Sequence, residues 1–423
     1  MRTARRRRGR YHSRMTASAR LRLPVAVFGA LVFAALASSL AVAALAPLPD
    51  GQNDFNAPGF VVRHAWVKFA LLATRPLRGE MARSEEDAHV SRFFALNALI
   101  AQQERIAGDP GSAPAFAADA RAASAALRSE RRDLKNTVAL ILDGRLTRVI
   151  KQAGLTRHVG ADIVWPPVNI EFQEPPAVLV TSPRAEIKKQ SESLLQGDLP
   201  IARVQEIEAA AERDGKTSAL VEEIGGIAMY PAIIPFDADY HFILQDLAHE
   251  WMHHYLYFAP LGRGYFDSAK LTTLNETVAN IVGRELGDML FAEYPLDQPP
   301  SLVTIAPLAA QRAVAAAPGI DFTKEMRDLR RQVESLLTDG KIAEAERAME
   351  EKRQFFAANG YYIRRLNQAY FAFHGSYADS AGSIDPIGPK LDDLRKKSPS
   401  LRQFVSVVRR FSSEGDLDAA LTR

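Results

Sequence analysis

The chain has no cysteine. That excludes a disulfide framework, a lipidated cysteine anchor and a thiolate zinc site, so any metal must be held by histidine and carboxylate. Acidic residues are missing from the first 22 positions, which carry nine arginines (Arg2, Arg5, Arg6, Arg7, Arg8, Arg10, Arg14, Arg20, Arg22). Charge of either sign is missing from the 24 residues that follow, Leu23 to Ala46. The net charge of +3 therefore misleads: without those nine arginines the rest of the chain stands at about −6. No chain-wide basic footprint exists, and nucleic acid is not an expected partner.

What is present begins with the arginine block and the apolar run together. Twenty-four helical residues span about 36 Å, enough for the roughly 30 Å hydrocarbon core of a bilayer. Arginine on the N-terminal flank predicts that this end stays in the cytoplasm and that everything after Pro47 lies outside. The alternative is a secreted protein, its signal peptide cleaved near Ala41-Val42-Ala43; against it, the apolar run exceeds the usual 7–15 residues of such a signal. The predicted organisation is a cytoplasmic Arg-rich tail (1–22), a transmembrane anchor (23–46), a juxtamembrane segment (47–87), a helical region (88–162), a metal-binding core (163–305) and a C-terminal helical subdomain (306–423). Within the juxtamembrane segment, Phe60 to Leu72 is too charged for a second span and reads as an interfacial or packed helix.

Hydrophobic spacing predicts helices over Ala88–Ile106 and Ala115–Gly154, parted by Gly108-Asp109-Pro110-Gly111. Short β-type runs follow at Val168–Phe172 and Ala177–Val180. Helices are expected over Ala185–Gln196 and Ile201–Arg213, a strand bent at Gly225-Gly226 over Leu220–Pro235, then helices over Tyr240–Leu256 and Thr273–Phe291. Dense alternating charge over Glu325–Gln354 reads as an antiparallel helix pair broken at Asp339-Gly340. The fold class is α+β, mainly helical.

The chemistry is carried by His249-Glu250-Trp251-Met252-His253. Residues four apart share a helix face, so His249 and His253 can aim at one ion, with Glu250 beside them to take a proton from metal-activated water. The alternative is a surface helix with coincidental histidines. A catalytic zinc site needs a third protein ligand and one open position. After His254 no histidine follows until His374, and Glu276 comes 23 residues after His253. Thr273-x-x-Glu276 also fits a capping box, which would make Glu276 a helix cap instead. Asp267, Glu285 and Asp288 are weaker ligand candidates.

With Asn275-Glu276 placed after His249–His253, the chain resembles the gluzincins, HExxH zinc metallopeptidases whose third ligand is a glutamate on a following helix. Asn367-Gln368-Ala369 and Tyr377 resemble the closing segment of a group of bacterial aminopeptidase-like proteins. The resemblance runs from Leu220 to Phe411, is strongest at the two ligand helices and does not extend to residues 1–160. It implies a zincin-like core (a small mixed sheet plus the active-site helix) over 163–305, one Zn2+ per chain held by His249, His253 and Glu276, and Glu250 as general base. It implies further that Gly225–Pro235 is the edge strand for a peptide or protein substrate, and that aminopeptidase action is one form of the activity. In the thermolysin-like pattern an acid four residues after the glutamate orients a ligand histidine; Asn280 stands at that place. Tyr370, His374 and Tyr377 form a predicted helical stripe, from which Tyr377 would stabilise the oxyanion; simple core packing is the alternative. A different class also fits: an inert envelope scaffold that binds partners, its metal site structural. Intact Glu250 argues against it, because a purely structural site has no use for a carboxylate there.

Overall fold

The computed structural model describes residues 51, 53–64, 81–109, 111–158, 161–296 and 320–422. The expected anchor at 23–46 lies outside them, as do the arginine tail and residues 65–80 of the juxtamembrane segment. Among the described residues no helix is long and apolar enough to cross a membrane.

The architecture is mainly helical with small sheets, an α+β arrangement. Its helices are α1 (Arg83–Gly108), α2 (Pro114–Gln152), α3 (Ile201–Ala211), α4 (Tyr240–Tyr257), α5 (Pro260–Arg263), α6 (Ala269–Glu293), α7 (Phe322–Thr338), α8 (Ile342–Ala358), α9 (Gln368–His374), α10 (Ile387–Lys397), α11 (Leu401–Val408) and α12 (Glu414–Leu421). The strands are β1 (Arg157–His158), β2 (Asp162–Ile163), β3 (Ile170–Phe172), β4 (Ala177–Pro183), β5 (Ser191–Leu195), β6 (Thr217–Glu223) and β7 (Ala232–Ile234). An antiparallel sheet has the order β5-β4-β6, β3 pairs in parallel with β7, and β1 pairs with β2.

One continuous core runs from α1 and α2 through α4 and α6 to α10, α11 and α12. Polar links fasten it. Asp143 on α2 accepts from the main-chain N–H of Ile170 at 3.1 Å, tying the long helix to β3. Arg145, fully buried, reaches Asp87 on α1 at 2.6 Å and lies 4.4 Å over the ring of Tyr294. A second core joins β4 and β6 to the hairpin of α7 and α8 and to α9. The hairpin turns at Gly340, whose φ of +74° is the left-handed region that favours glycine. Within 57–64, which is helical, Phe60 and Val61 pack on Met229 and Ile233, so this part of the juxtamembrane segment is a packed helix.

Two expectations fail. The helix expected over Ala185–Gln196 contains β5 instead: its Lys, Gln and Ser residues favour neither state strongly, and pairing with β4 from Ala177↔Leu195 to Thr181↔Ser191 decides the outcome. The single bent strand expected over Leu220–Pro235 is divided between two sheets, because the chain turns at Gly225-Gly226 and Ile227 folds back to bridge Ile233.

Arg364 and Arg365, just before α9, close on Glu208 of α3, which is 2% exposed. Arg364 donates at 2.5 and 3.0 Å, Arg365 at 3.2 Å, and the N–H of Val221 at 2.7 Å. Burial pushes the Glu208 carboxyl up, but these hydrogen bonds and the two guanidinium charges outweigh it and hold the group below its ordinary value. A depressed carboxyl contributes stability that is present above the unfolded-state value of about 4.3 and is lost as pH falls below it. The urea midpoint is therefore expected to drop between about pH 5 and pH 3, with a shallower drop in Glu208→Gln, itself less stable at pH 7. An unchanged pH slope in that variant would refute the role.

Candidate metal centre

The site is built on two crossing antiparallel helices. α4 starts sharply because the Asp239 side chain accepts from the N–H groups of His241 and Phe242 at 2.9 and 3.2 Å. Its inner residues are held in the core: Trp251 is 1% exposed and donates its indole N–H to the Pro166 carbonyl at 3.0 Å. α6 runs the other way. Its close approach depends on two glycines, since a Cβ on Gly283 would stand 2.9 Å from His249 Cβ and one on Gly287 would stand 2.6 Å from Gln245 Cα.

This crossing brings the three expected ligands together. The Nε2 atoms of His249 and His253 are 2.9 Å apart, and Glu276 Oε2 lies 3.6 and 3.5 Å from them. All three donor atoms fall within 4.8 Å of one another, so the buried triad can hold a metal ion. The capping-box alternative for Glu276 fails. Ser268 caps α6, accepting from the N–H of Leu271 at 3.2 Å, which leaves Thr273 and Glu276 buried inside the helix. The weaker candidates are occupied elsewhere or outside the cluster. Glu285 pairs with Arg395 at 2.6 Å, Asp288 with His241 at 2.7 Å, and Asp267 is not among the converging donors.

The surrounding groups fit a cation at this point. Oε2 of Glu276 is buried and accepts no hydrogen bond, while its other oxygen accepts from the hydroxyl of Tyr265. Burial pushes the Glu276 carboxyl up, but positive charge on His253 and His249, whose place a bound cation would take, and the Tyr265 hydroxyl reverse this and take it down to about 2. It is a carboxylate committed to its charged form. His253 turns its far nitrogen, Nδ1, to Asn275 Oδ1 at 2.8 Å, and Asn275 Nδ2 donates to the Leu261 carbonyl at 3.2 Å. The second bond fixes which way the amide faces, so Nδ1 carries the proton and Nε2 is left as the metal-facing lone pair. Asn280, at the place the thermolysin-like pattern singles out, donates its Nδ2 to Asp379 at 2.9 Å. Asn275, one residue before the ligand, points its side chain back towards α4.

Glu250 is 4% exposed, and its Oε2 accepts no hydrogen bond. Burial, then the charges of Asp246 and Glu276, push its carboxyl well above the ordinary value. Gly226 presses directly on it: a Cβ there would lie 2.8 Å from Glu250 Oε1 and 2.7 Å from Asp246 Oδ2. His254 plays no part in the triad. Burial lowers it to about 4, so it is neutral and donates from Nε2 to the Met229 carbonyl at 2.7 Å.

The expected aromatic stripe is broken, because α9 ends at His374. Tyr370 is buried in the second core, and His374, 1% exposed, lies 3.4 Å from Glu222. Tyr377 sits on the turn beyond and lines the cleft over the triad. Burial and the charges of Glu276, Glu192 and Glu250 raise its hydroxyl far above the ordinary value, so it remains a hydrogen-bond donor. The cleft has a volume of about 1120 Å³ and takes in His249, Glu250, His253, Glu276, Tyr265 and the Gly225–Ala228 run. Sequence reasoning missed Tyr265, Gly226 and the Gly283/Gly287 crossing. Only the glycines left a signal, their i, i+4 spacing inside an apolar helix.

No protein-family model, no curated protein and no solved structure matches the chain.

Proposed function

We propose that this chain is a zinc-dependent peptidase of gluzincin type with a zincin-like core. The observation that carries the reading is the convergence of three metal-donor atoms within 4.8 Å of one another, in the same cleft as a buried carboxylate, Glu250, outside the set. Neutral nitrogen and carboxylate donors in a set of three, leaving a position open, are the donor chemistry of catalytic zinc. When bound, zinc supplies Lewis acidity towards water and the scissile carbonyl.

The chain's own residues do the rest. His249 and His253 present Nε2, and Asn275 fixes the tautomer of His253. Tyr265 occupies one oxygen of Glu276 and leaves the other for the ion. Glu250 takes the proton from the attacking water and passes it to the leaving amine; its raised affinity for a proton suits a base that must also act as an acid. Tyr377 donates to the oxyanion that develops on the substrate carbonyl. The site works outside the cytoplasm, carried there by the Leu23–Ala46 segment as an uncleaved anchor.

The test is metal analysis of the full chain purified in detergent, together with incubation with a mixed peptide library. About one zinc per chain and cleavage of peptides are expected, both lost in His249→Ala. Bound metal with no cleavage of any peptide would overturn the reading in favour of an inert scaffold.

A further inference from the structure

The cleft follows both ligand helices along their length. On α4 it is lined by Phe242, Asp246, His249, His253 and Tyr257, and beyond the helix by Phe258, a stripe at helical spacing from one end to the other. On α6 the lining runs from Ser268 and Thr272 through Glu276 to Gly283 and Arg284. Each stripe covers 16 residue steps, about 24 Å at 1.5 Å per residue, and the metal triad stands near the middle of both. The helices cross in opposite directions, so Phe242 and Arg284 mark one end, and Phe258 and Ser268 the other. An extended polypeptide advances up to about 3.3–3.6 Å per residue, so the cleft holds roughly seven residues, about three on each side of the reacting bond.

An exopeptidase instead needs an uncompensated charge close to the metal to hold a chain terminus. Among the described residues neither cation lining the cleft provides one, since Lys189 is paired with Glu192 at 2.6 Å and Arg284 with Asp379. Nor, among those residues, does an acid beside the triad: Glu192 is taken by that pair and the Oδ2 of Asp246 is buried beneath Gly226. A backbone rail lines the same cleft. Among the described residues β5 is an edge strand, which the 53–55 segment covers from Leu194 onward, through Phe55 N to Leu194 O at 3.0 Å and Gln196 N to Asn53 O at 2.8 Å. By antiparallel alternation the main-chain N–H and C=O of Glu192 point the same way as those of Leu194, away from β4 and towards the cleft that Glu192 lines. Such an edge pairs with any extended chain without reading its ends. The rim beside Ser268 carries Phe266, 92% exposed, and Tyr257, 42% exposed, apolar surface for side chains distant from the cut.

We propose that the site acts as an endopeptidase on extended polypeptide, with subsites on both sides of the cleaved bond and no anchor for a free terminus. The inference rests on the peptidase reading above. It is tested by giving the full-length enzyme, loaded with zinc, a ten-residue peptide in four forms: free, N-acetylated, C-amidated and blocked at both ends. Products are read by mass spectrometry. Internal cuts are expected, at rates within about twofold across the four forms, and kcat/KM should rise more than tenfold between three- and seven-residue peptides. Stepwise loss of single residues from one end, or cleavage abolished by acetylation or amidation, would overturn the endopeptidase inference and leave the peptidase reading standing. No cleavage of any form would overturn both.

Discussion

Glu250→Gln should lower peptide turnover by about 10²–10⁴-fold while the protein keeps about one zinc per chain. The substitution keeps shape and volume and removes only the carboxylate. Glu250 is not one of the three converging donors, so the ligand set is untouched. Stability should hold or rise, because the parent buries this carboxyl near Asp246 and Glu276, whose charges oppose its ionisation. The loss should fall on kcat more than on KM, since proton transfer and not substrate binding is removed. Single-turnover assays with metal analysis on the same sample separate these outcomes. A variant that keeps more than a tenth of parental kcat would remove Glu250 from the mechanism. One that loses its zinc would mean the residue supports the metal instead.

Gly287→Ala should destabilise the fold by about 2 kcal/mol and weaken zinc binding with it. In an unhindered helix this change stabilises by up to about 1 kcal/mol. Here the new Cβ would meet Gln245 N at 2.7 Å and Gln245 Cα and Cγ at 2.6 Å. Two of those three atoms are main chain of α4 and cannot swing aside, so the helices must part by nearly an ångström to restore ordinary contact. Parting them draws His249 and His253 away from Glu276, and metal affinity falls as the ligand set loosens. Gly108→Ala, at the end of α1 with no atom within 4 Å of the new Cβ, is the control and should stay within about 0.5 kcal/mol of the parent. Urea unfolding of both variants, with and without zinc, gives the comparison. Equal midpoints for Gly287→Ala and the parent would show that the crossing is slack.

Much of the site was legible because its geometry is local. His249, Glu250 and His253 lie on one helix, and four-residue spacing dictates a shared face whatever the rest of the chain does. The boundaries of α4 were also local, set by an Asp239 cap and a continuous apolar pattern. The alternating charges and Asp339-Gly340 marked the α7–α8 hairpin for the same reason. Glu276 was a different matter. Its sequence context permitted a cap or a ligand, and only the start of α6 at Ala269 under a Ser268 cap removed the first. Nothing in the sequence around Tyr265 marks it as the hydroxyl that closes on Glu276, since that bond depends on how the α5 turn returns to α6.

The sequence by itself determined the donor chemistry: without cysteine, only histidine and carboxylate could serve, and spacing put two histidines together. Tertiary structure decided the third donor, the amide of Asn275 that orients His253, the strand at 191–195 that local composition does not favour, and the placing of Tyr377 on a turn over the cleft. The physical reason is range. A helix fixes neighbours three or four residues apart through its own hydrogen bonds, whereas contacts such as Gly287 against Gln245 exist only once two distant helices have packed.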